Sequence, residues 1–201
     1  MKIIEKTAIF GGTFNPPHIG HRAMLDGISK LPEISKILIM PAKTPPHKSG
    51  DIVSAEHRVN MCRIAFEGVN KAEISLDELS LEGKNYTVKT LKFLKEKGIC
   101  NPILIIGADS LVNFHKWYCY EEILTLAELY VYGREGILES DFLSAAKNLK
   151  RLGGKITLLD IYPPAVASSD IRAAFLKREN PSELLDPLVL EYIKEHSLYK
   201  G

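Results

Sequence analysis

The fold is most clearly indicated by one stretch of the sequence, Gly11-Gly12-Thr13-Phe14-Asn15-Pro16-Pro17-His18-Ile19-Gly20-His21. The run before it, Thr7-Ala8-Ile9-Phe10, is short and apolar, which is typical of a buried strand. The residues after it carry apolar side chains at helical spacing, namely Met24, Leu25, Ile28 and Leu31. The stretch is therefore predicted to be a loop that joins a strand to a helix.

The composition of this loop favours the binding of a phosphate chain. Gly11 and Gly12 let the backbone approach a ligand closely. His18 and His21 lie three residues apart where the helix begins, so both imidazoles can point to one side. The N-terminus of that helix adds N–H groups and a partial positive charge. We predict a polyphosphate site; zinc binding by the two histidines, or two surface histidines without a ligand, are the alternatives.

The composition of the chain is that of an ordinary globular protein. Its 201 residues and 22.5 kDa fit one α/β domain over residues 1–201. A net charge of +1 argues against a surface for nucleic acid. Cys62, Cys100 and Cys119 show no metal-binding or disulfide spacing. Because we find neither a signal peptide nor an apolar run of membrane-spanning length, we expect a cytoplasmic protein that contacts no membrane.

Strand patterns alternate with helical patterns almost to the C-terminus. After the first strand, we predict strands at 36–41, 73–76, 102–107, 128–132 and 155–159. Helices are predicted between them, and the helical C-terminal part, about 168–201, contains helices at 169–177 and 182–196. This alternation predicts an α/β fold, a doubly wound, Rossmann-like parallel sheet with helices on both faces and a helical C-terminal tail.

Ligands of such sheets bind beyond the carboxyl ends of the strands, where the strand order reverses. The first loop, Gly107–Ser110 and the loop after Leu159 should therefore share one crevice. Asp109 follows the most apolar strand, where a carboxylate can bond ribose hydroxyls. Neither Gly-x-x-x-x-Gly-Lys-[Ser/Thr] nor Gly-x-Gly-x-x-Gly occurs, so we predict neither a P-loop enzyme nor an ordinary dinucleotide-binding dehydrogenase.

A second candidate for phosphate binding follows the last predicted strand. Ala167-Ser168-Ser169-Asp170-Ile171-Arg172 places two hydroxyls and an arginine at a helix start. Hydroxyl and guanidinium groups can share a phosphate, although an ordinary serine cap with a solvated arginine has the same pattern.

Both motifs resemble those of a nucleotidyltransferase superfamily. The first loop resembles its His-x-Gly-His signature, in the Pro-Pro-His form of bacterial nicotinate-mononucleotide adenylyltransferases. Residues 166–172 resemble the second motif, Ile-Ser-Ser-Thr-x-Ile-Arg, with Ala167 in place of the first serine and Ser169 in place of the threonine. Asn15 stands where many members carry aspartate, and it can make a similar turn bond.

Three further segments resemble the part of that family that holds the acceptor nucleotide. Pro45-Pro46-His47-Lys48 resembles the substrate loop, with Lys48 as a clamp on phosphate. Asn85–Leu91 and His115–Tyr118 resemble the segments around the pyridine ring. Trp117, the chain's one tryptophan, offers an aromatic face, although a lone tryptophan is often core packing.

The resemblance, which covers nearly the whole chain, implies that ATP and nicotinate mononucleotide give nicotinate adenine dinucleotide and pyrophosphate, with Mg²⁺ bound to ATP. Implied catalytic residues are His18, His21 and Arg172. Implied ATP-binding residues are Gly11, Gly12, Thr13, Phe14, His18, His21, Gly107, Asp109, Ser168, Ser169, Ile171 and Arg172. Implied residues for nicotinate mononucleotide are Lys48, Tyr86, Thr87, Asp109, Trp117, Tyr118 and Arg134, and no protein ligand to a metal is implied.

Other functions fit the same motifs. The first motif is shared with adenylyltransferases for phosphopantetheine or FMN and with cytidylyltransferases, and nicotinamide mononucleotide could replace the acid. A catalytically silent nucleotide sensor is the alternative from another class. Intact His18, His21, Ser169 and Arg172 argue against a sensor, because sensing does not need transition-state donors. The sequence leaves the oligomeric state open, a homo-oligomer included.

Overall fold

The architecture is an open parallel sheet covered by helices on both faces. The computed structural model describes residues 5–43, 52–133 and 139–200. Within them, six parallel strands run in the order β3-β2-β1-β4-β5-β6. Their bounds are β1 Lys6–Gly12, β2 Ile34–Pro41, β3 Ala72–Ile74, β4 Ile103–Gly107, β5 Glu128–Tyr132 and β6 Ile156–Leu159.

The helices connect these strands in chain order. The bounds are α1 Ile19–Ser29, α2 Ala55–Ala65, α3 Asp77–Ser80, α4 Thr87–Glu96, α5 Ala108–Val112, α6 Tyr120–Leu126, α7 Glu139–Arg151, α8 Ser168–Leu176 and α9 Pro187–Glu195. Two 3₁₀ turns cover Phe114–Lys116 and Ser182–Leu184. Across the described ranges, none of the helices has the length and apolar character needed to cross a bilayer.

Alternation along the strands divides the core between the two faces of the sheet. Ala8 and Phe10 of β1 belong to one buried cluster, while Ile9 between them belongs to the other. The first cluster includes buried side chains of α1, α2, α8 and α9, and the second includes those of α4, α5, α6 and α7. Because successive side chains of a strand point to opposite faces, apolar runs of this kind require helices on both sides.

The strand order reverses between β1 and β4, and this reversal positions the site. The two strands pair at Ala8 with Ile103 and Ile9 with Leu104. The chain leaves β1 for β2 on one side and enters β4 on the other, so the loops that follow β1 and β4 diverge and leave a crevice. The predicted doubly wound sheet is confirmed, and so is the placement of this crevice at its carboxyl edge.

The prediction of one helix over 182–196 is wrong. The segment begins as a 3₁₀ turn, Leu185 is extended, and α9 starts at Pro187. Asp186 caps α9 through a bond from the Leu188 amide to its carboxylate, and proline at the first helical position cannot continue a preceding helix. Sequence reasoning also missed α3 and α5, which at four and five residues are too short for a periodic pattern.

Candidate active site

A cleft of about 790 Å³ opens at the carboxyl edge of the sheet. Its walls come from the loop after β1, the loop after β4, the N-terminal end of α4 and the segment after β6. It is large enough for a ligand with two nucleotide-sized parts. The predicted site residues that line it are Gly11, Gly12, Thr13, His18, His21, Tyr86, Thr87, Gly107, Asp109, Trp117 and Tyr118.

His18 and His21 form a reciprocal cap at the start of α1. The His21 amide donates to His18 Nδ1 at 3.4 Å, and the His18 amide donates to His21 Nδ1 at 3.3 Å. Their rings stack with centroids 3.7 Å apart. A ring nitrogen that accepts from an N–H carries no proton, so each neutral imidazole holds its proton on Nε2. The cap therefore orients both rings, and in this tautomer Nε2 is the N–H that could donate to a phosphate oxygen.

Phe14 supports this pair rather than lining the cleft. Its side chain is 2% exposed, and its ring lies 5.0 Å from that of His21, edge on. Its backbone is left-handed, with φ of 50°. A Cβ at Gly12 would lie 2.8 Å from the Phe14 ring, so only glycine fits there. The Phe14 side chain thus shapes the loop, and any contact of this residue with ATP falls to its backbone.

The loop after β1 turns three of its carbonyls towards donors behind it. Arg58 donates to the Thr13 carbonyl at 2.8 Å and Arg172 to the Asn15 carbonyl at 2.9 Å. Ser168 Oγ donates to the Pro16 carbonyl, also at 2.9 Å. Because the carbonyl and N–H of a trans peptide point in opposite directions, the Phe14 N–H faces away from Arg58. Arg172 and Ser168, predicted to bind ATP, lie directly behind this loop.

Sequence reasoning missed Arg58, which is the most buried cation of the site. Its side chain is 1% exposed and also donates to the Val53 carbonyl at 3.2 Å and the Lys43 carbonyl at 3.1 Å. Burial lowers the pKa of Arg58. One guanidinium therefore joins the loops that follow β1 and β2 to the start of α2. One signal in the sequence could have indicated that Arg58 is buried: it lies four residues before Cys62 and therefore on the same, apolar face of α2.

Asn15 is held by the far end of the chain. Its side chain is buried, and its Oδ1 accepts from the Tyr199 hydroxyl at 2.8 Å and from the Val53 amide at 3.3 Å. Burial raises the pKa of Tyr199, so this hydroxyl stays a donor at physiological pH. The Asn15–Pro16 peptide bond is cis. Asparagine thus makes the side-chain bonds that hold the turn in this chain.

The other predicted ATP residues divide between the cleft and the core. Gly107 and Asp109 line the cleft, and a Cβ at Gly107 would lie 2.7 Å from Asp109 Oδ1. Ile171 is fully buried in the core, so its side chain does not reach the cleft. Ser169 is exposed at the start of α8, and Ala167, the cap residue, makes no side-chain cap bond.

The predicted pyridine side is an aromatic wall. The Tyr86 and Tyr118 rings lie 4.6 Å apart, and Trp117 packs 5.0 Å from Phe114. Thr87 is the first residue of α4, next to the helix's N–H groups. Predicted contacts of Lys48, of the loop Pro45–Lys48 and of Arg134 lie outside the described residues.

Three polar residues beside this wall line the same cleft: Asn85 and Thr90, which belong to the predicted segment Asn85–Leu91, and Glu78, which was not predicted. Burial raises the pKa of Glu78 to about 7, although a bond from Thr90 and the charge of Arg58 oppose the shift. Within the described ranges, no group of three or more histidine, cysteine, aspartate or glutamate side chains could hold a metal ion.

Comparison with known proteins places this cleft in a family. Residues 9–174 match the cytidylyltransferase-like family. A probable nicotinate-nucleotide adenylyltransferase of Pectobacterium atrosepticum is 33% identical, over 96% of this chain and 98% of the relative. One from Symbiobacterium thermophilum is 35% identical, over 98% and 96%. The structure of Plasmodium falciparum nicotinic acid mononucleotide adenylyltransferase complexed with NaAD has the same fold, with a TM-score of 0.79 at 23% identity over 97% of both chains.

Proposed function

This chain belongs to the cytidylyltransferase-like family and, within it, to the nicotinate-nucleotide adenylyltransferases, and we propose that it transfers the adenylyl group of ATP to nicotinate mononucleotide. The products are nicotinate adenine dinucleotide and pyrophosphate, in a step of NAD biosynthesis. The observation that carries the proposal is the reciprocal cap of His18 and His21, because it orients two imidazoles that line the cleft at the N-terminus of α1.

The reaction needs alignment and charge neutralisation more than proton transfer. A phosphate oxygen of the acceptor attacks the α-phosphorus of ATP, and the bond to the leaving pyrophosphate breaks. The attacking phosphate monoester is anionic near neutral pH, so no general base is required. His18, His21 and the N–H groups at the start of α1 would stabilise the negative charge that moves onto the pyrophosphate.

The acceptor is proposed to lie against the aromatic wall. The pyridine ring would pack on Tyr86, Trp117 and Tyr118, with its carboxylate near Thr87 at the N-terminus of α4. Helix N–H groups are donors, so they favour the acid over the neutral amide. Lys48 and Arg134 remain predicted contacts of the acceptor, and Asp109 of a ribose.

Mg²⁺ is proposed to arrive with ATP rather than in a protein cage. Among the described residues no group of three or more histidine, cysteine, aspartate or glutamate side chains could hold the ion, so we assign its ligands to phosphate oxygens and water. When bound, the ion would neutralise part of the charge on the phosphate chain. A cytoplasmic location, the absence of nucleic-acid partners and any homo-oligomer stay predictions.

The proposal is tested by pyrophosphate release with Mg-ATP and four separate acceptors: nicotinate mononucleotide, nicotinamide mononucleotide, 4′-phosphopantetheine and FMN. We expect turnover with the first to exceed that with the others. Faster turnover with another acceptor would overturn the assignment of the aromatic wall. ATP binding without pyrophosphate release from any acceptor would favour the nucleotide sensor.

A further inference from the structure

Glu78 is a carboxyl group in the cleft to which the proposed reaction gives no role. It belongs to α3, and its side chain lines the cleft together with Asn85, Tyr86, Thr87 and Thr90. The proposed substrates of this cleft are anions, and a carboxylate beside them is repelled by their charge. We therefore asked which part of a substrate this carboxylate could bind favourably.

Two buried side chains of the next segment fix Glu78 in place. Asn85 Nδ2 donates to the Glu78 carbonyl at 2.8 Å, and Thr90 Oγ1 donates to Glu78 Oε1 at 3.5 Å. Asn85 and Thr90 are both buried. In the described part of the chain, the partner of the Glu78 carboxylate is therefore a hydroxyl, not the lysine or arginine of a structural ion pair.

Two hydrogen-bond acceptors of this corner have unused capacity among the described residues. Asn85 Oδ1 is buried and accepts no hydrogen bond from any described residue. Within the same ranges of the chain, the Glu78 carboxylate accepts one weak bond, from Thr90, which leaves most of its acceptor capacity unused. A ligand that binds here is expected to bring a donor.

The position of the corner narrows the choice of donor. Thr90 follows Thr87 by three residues on α4, so the two side chains are neighbours on one helix face. The Glu78 carboxylate, which bonds Thr90, consequently lies on the side of α4 that carries Thr87, the residue proposed to meet the pyridine carboxylate. The carboxylate, the pyridine ring and an ionised phosphate offer no donor, whereas the ribose that joins ring to phosphate has two hydroxyls.

We propose that the Glu78 carboxylate accepts a hydrogen bond from a ribose hydroxyl of the mononucleotide acceptor. The assignment rests on the proposed function, because it takes the acceptor to be a pyridine mononucleotide. Glu78 thereby binds the ribose and orients the acceptor, while Thr87 and the aromatic wall bind the pyridine ring and its carboxylate. When it is ionised, the Glu78 side chain also repels a phosphate from this corner, which disfavours the reversed orientation of the nucleotide.

The test compares nicotinate mononucleotide with its 2′-deoxy and 3′-deoxy analogues, in the wild type and in Glu78→Ala and Glu78→Gln. In the wild type, one of the two deoxy analogues should lose about 10- to 100-fold in kcat/KM, as expected when a hydrogen bond to a charged group is removed. In Glu78→Ala that penalty should fall to about 3-fold or less, within the range of a weak contact. Glu78→Gln, which keeps the volume and one acceptor oxygen, should give an intermediate penalty.

Glu82→Ala is the matched control, since Glu82 is an exposed glutamate shortly after α3. It should keep the wild-type penalty for the deoxy analogue. An unchanged penalty in both Glu78 variants would overturn the inference, even if their activity falls. A second result would also overturn it: Glu78 variants that change the ratio of kcat/KM for nicotinate mononucleotide to kcat/KM for nicotinamide mononucleotide, but leave the penalty for the deoxy analogue unchanged. Glu78 would then contact the substituent of the ring and not the ribose. Absence of wild-type turnover with nicotinate mononucleotide would instead contradict the proposed function.

Discussion

At the scale of single residues, Arg58 holds the loop after β1 in place. Its guanidinium bonds the carbonyls of Thr13, Lys43 and Val53, which belong to three separate segments. Lysine keeps the charge but has one nitrogen, so it cannot reproduce a planar group that spans three carbonyls. Arg58 contacts no reacting atom in this account, and we regard it as a positioning residue.

Arg58→Lys should lower kcat by about 10- to 100-fold, because small displacements of aligned reactants have effects of this size. The KM for ATP should change much less. Steady-state kinetics well below the unfolding temperature measures both. Arg63→Lys is the control, since Arg63 lies on the same helix and its hydrogen bond to Asn60 is exposed. A variant with unchanged kcat and only a lower unfolding temperature would show that Arg58 is purely structural.

The Glu78 carboxyl should also make stability depend on pH. Its pKa is about 7 in the folded protein and near the ordinary 4.5 when unfolded, because burial disfavours the charged form. Between these two values the folded state holds a proton that the unfolded state has released, so stability falls as pH rises through that window. Glu78→Gln cannot titrate and escapes this loss.

The expected result is that the unfolding temperature of Glu78→Gln, relative to wild type, increases between pH 5 and pH 8. Thermal denaturation at both pH values, with exposed Glu82→Gln as the control, measures this difference. If the unfolding temperature of Glu78→Gln minus that of wild type were the same at pH 5 and pH 8, the raised pKa of Glu78 would be contradicted.

At the scale of elements, the C-terminal segment acts on the first loop. Tyr199 follows α9 and places its hydroxyl on Asn15, across a sequence separation of 184 residues. Removing the hydroxyl leaves Asn15 Oδ1 buried with the weaker bond from the Val53 amide. The segment after α9 is thus part of what holds the loop after β1.

Tyr199→Phe should cost about 0.5–1.5 kcal/mol of unfolding free energy, the usual net contribution of one hydrogen bond, because Asn15 Oδ1 keeps the bond from the Val53 amide. It should also reduce kcat, because Asn15 supports the turn that leads to His18. Urea denaturation and steady-state kinetics measure the two effects. Tyr162→Phe removes the hydroxyl of an exposed tyrosine and should change stability little. If Tyr199→Phe changed the unfolding free energy and kcat as little as Tyr162→Phe does, the bond to Asn15 would contribute neither to stability nor to catalysis.

The elements that sequence reasoning recovered are those with a long, uniform pattern. Five of the six strands contain apolar runs between glycine, proline or polar residues, so their positions follow from local chemistry, whereas β3 is short and only partly buried. The break before α9 was missed although Asp186-Pro187 is a typical cap followed by proline at the first helical position. The α3 helix, which carries Glu78, is shorter than any periodic signal.

At the scale of the whole molecule, the parallel sheet brings the predicted motifs to one edge. The first loop, Gly107, Asp109 and the aromatic wall meet in one cleft, as the strand order requires. The sequence could not reveal that Arg58 and Tyr199 support the loop after β1, because their contacts depend on tertiary packing between distant segments. Neither residue belongs to a recognisable sequence motif.

The central claim is that His18 and His21 stabilise the transition state as donors on the phosphate chain. The most direct measurement compares kcat with the dissociation constant for ATP in His18→Ala and His21→Ala. We predict that kcat falls by about 100- to 1,000-fold, as when a preorganised donor is removed, while ATP binding changes little. Equal losses in kcat and in ATP affinity would contradict the claim, because the histidines would then bind the substrate and the transition state alike.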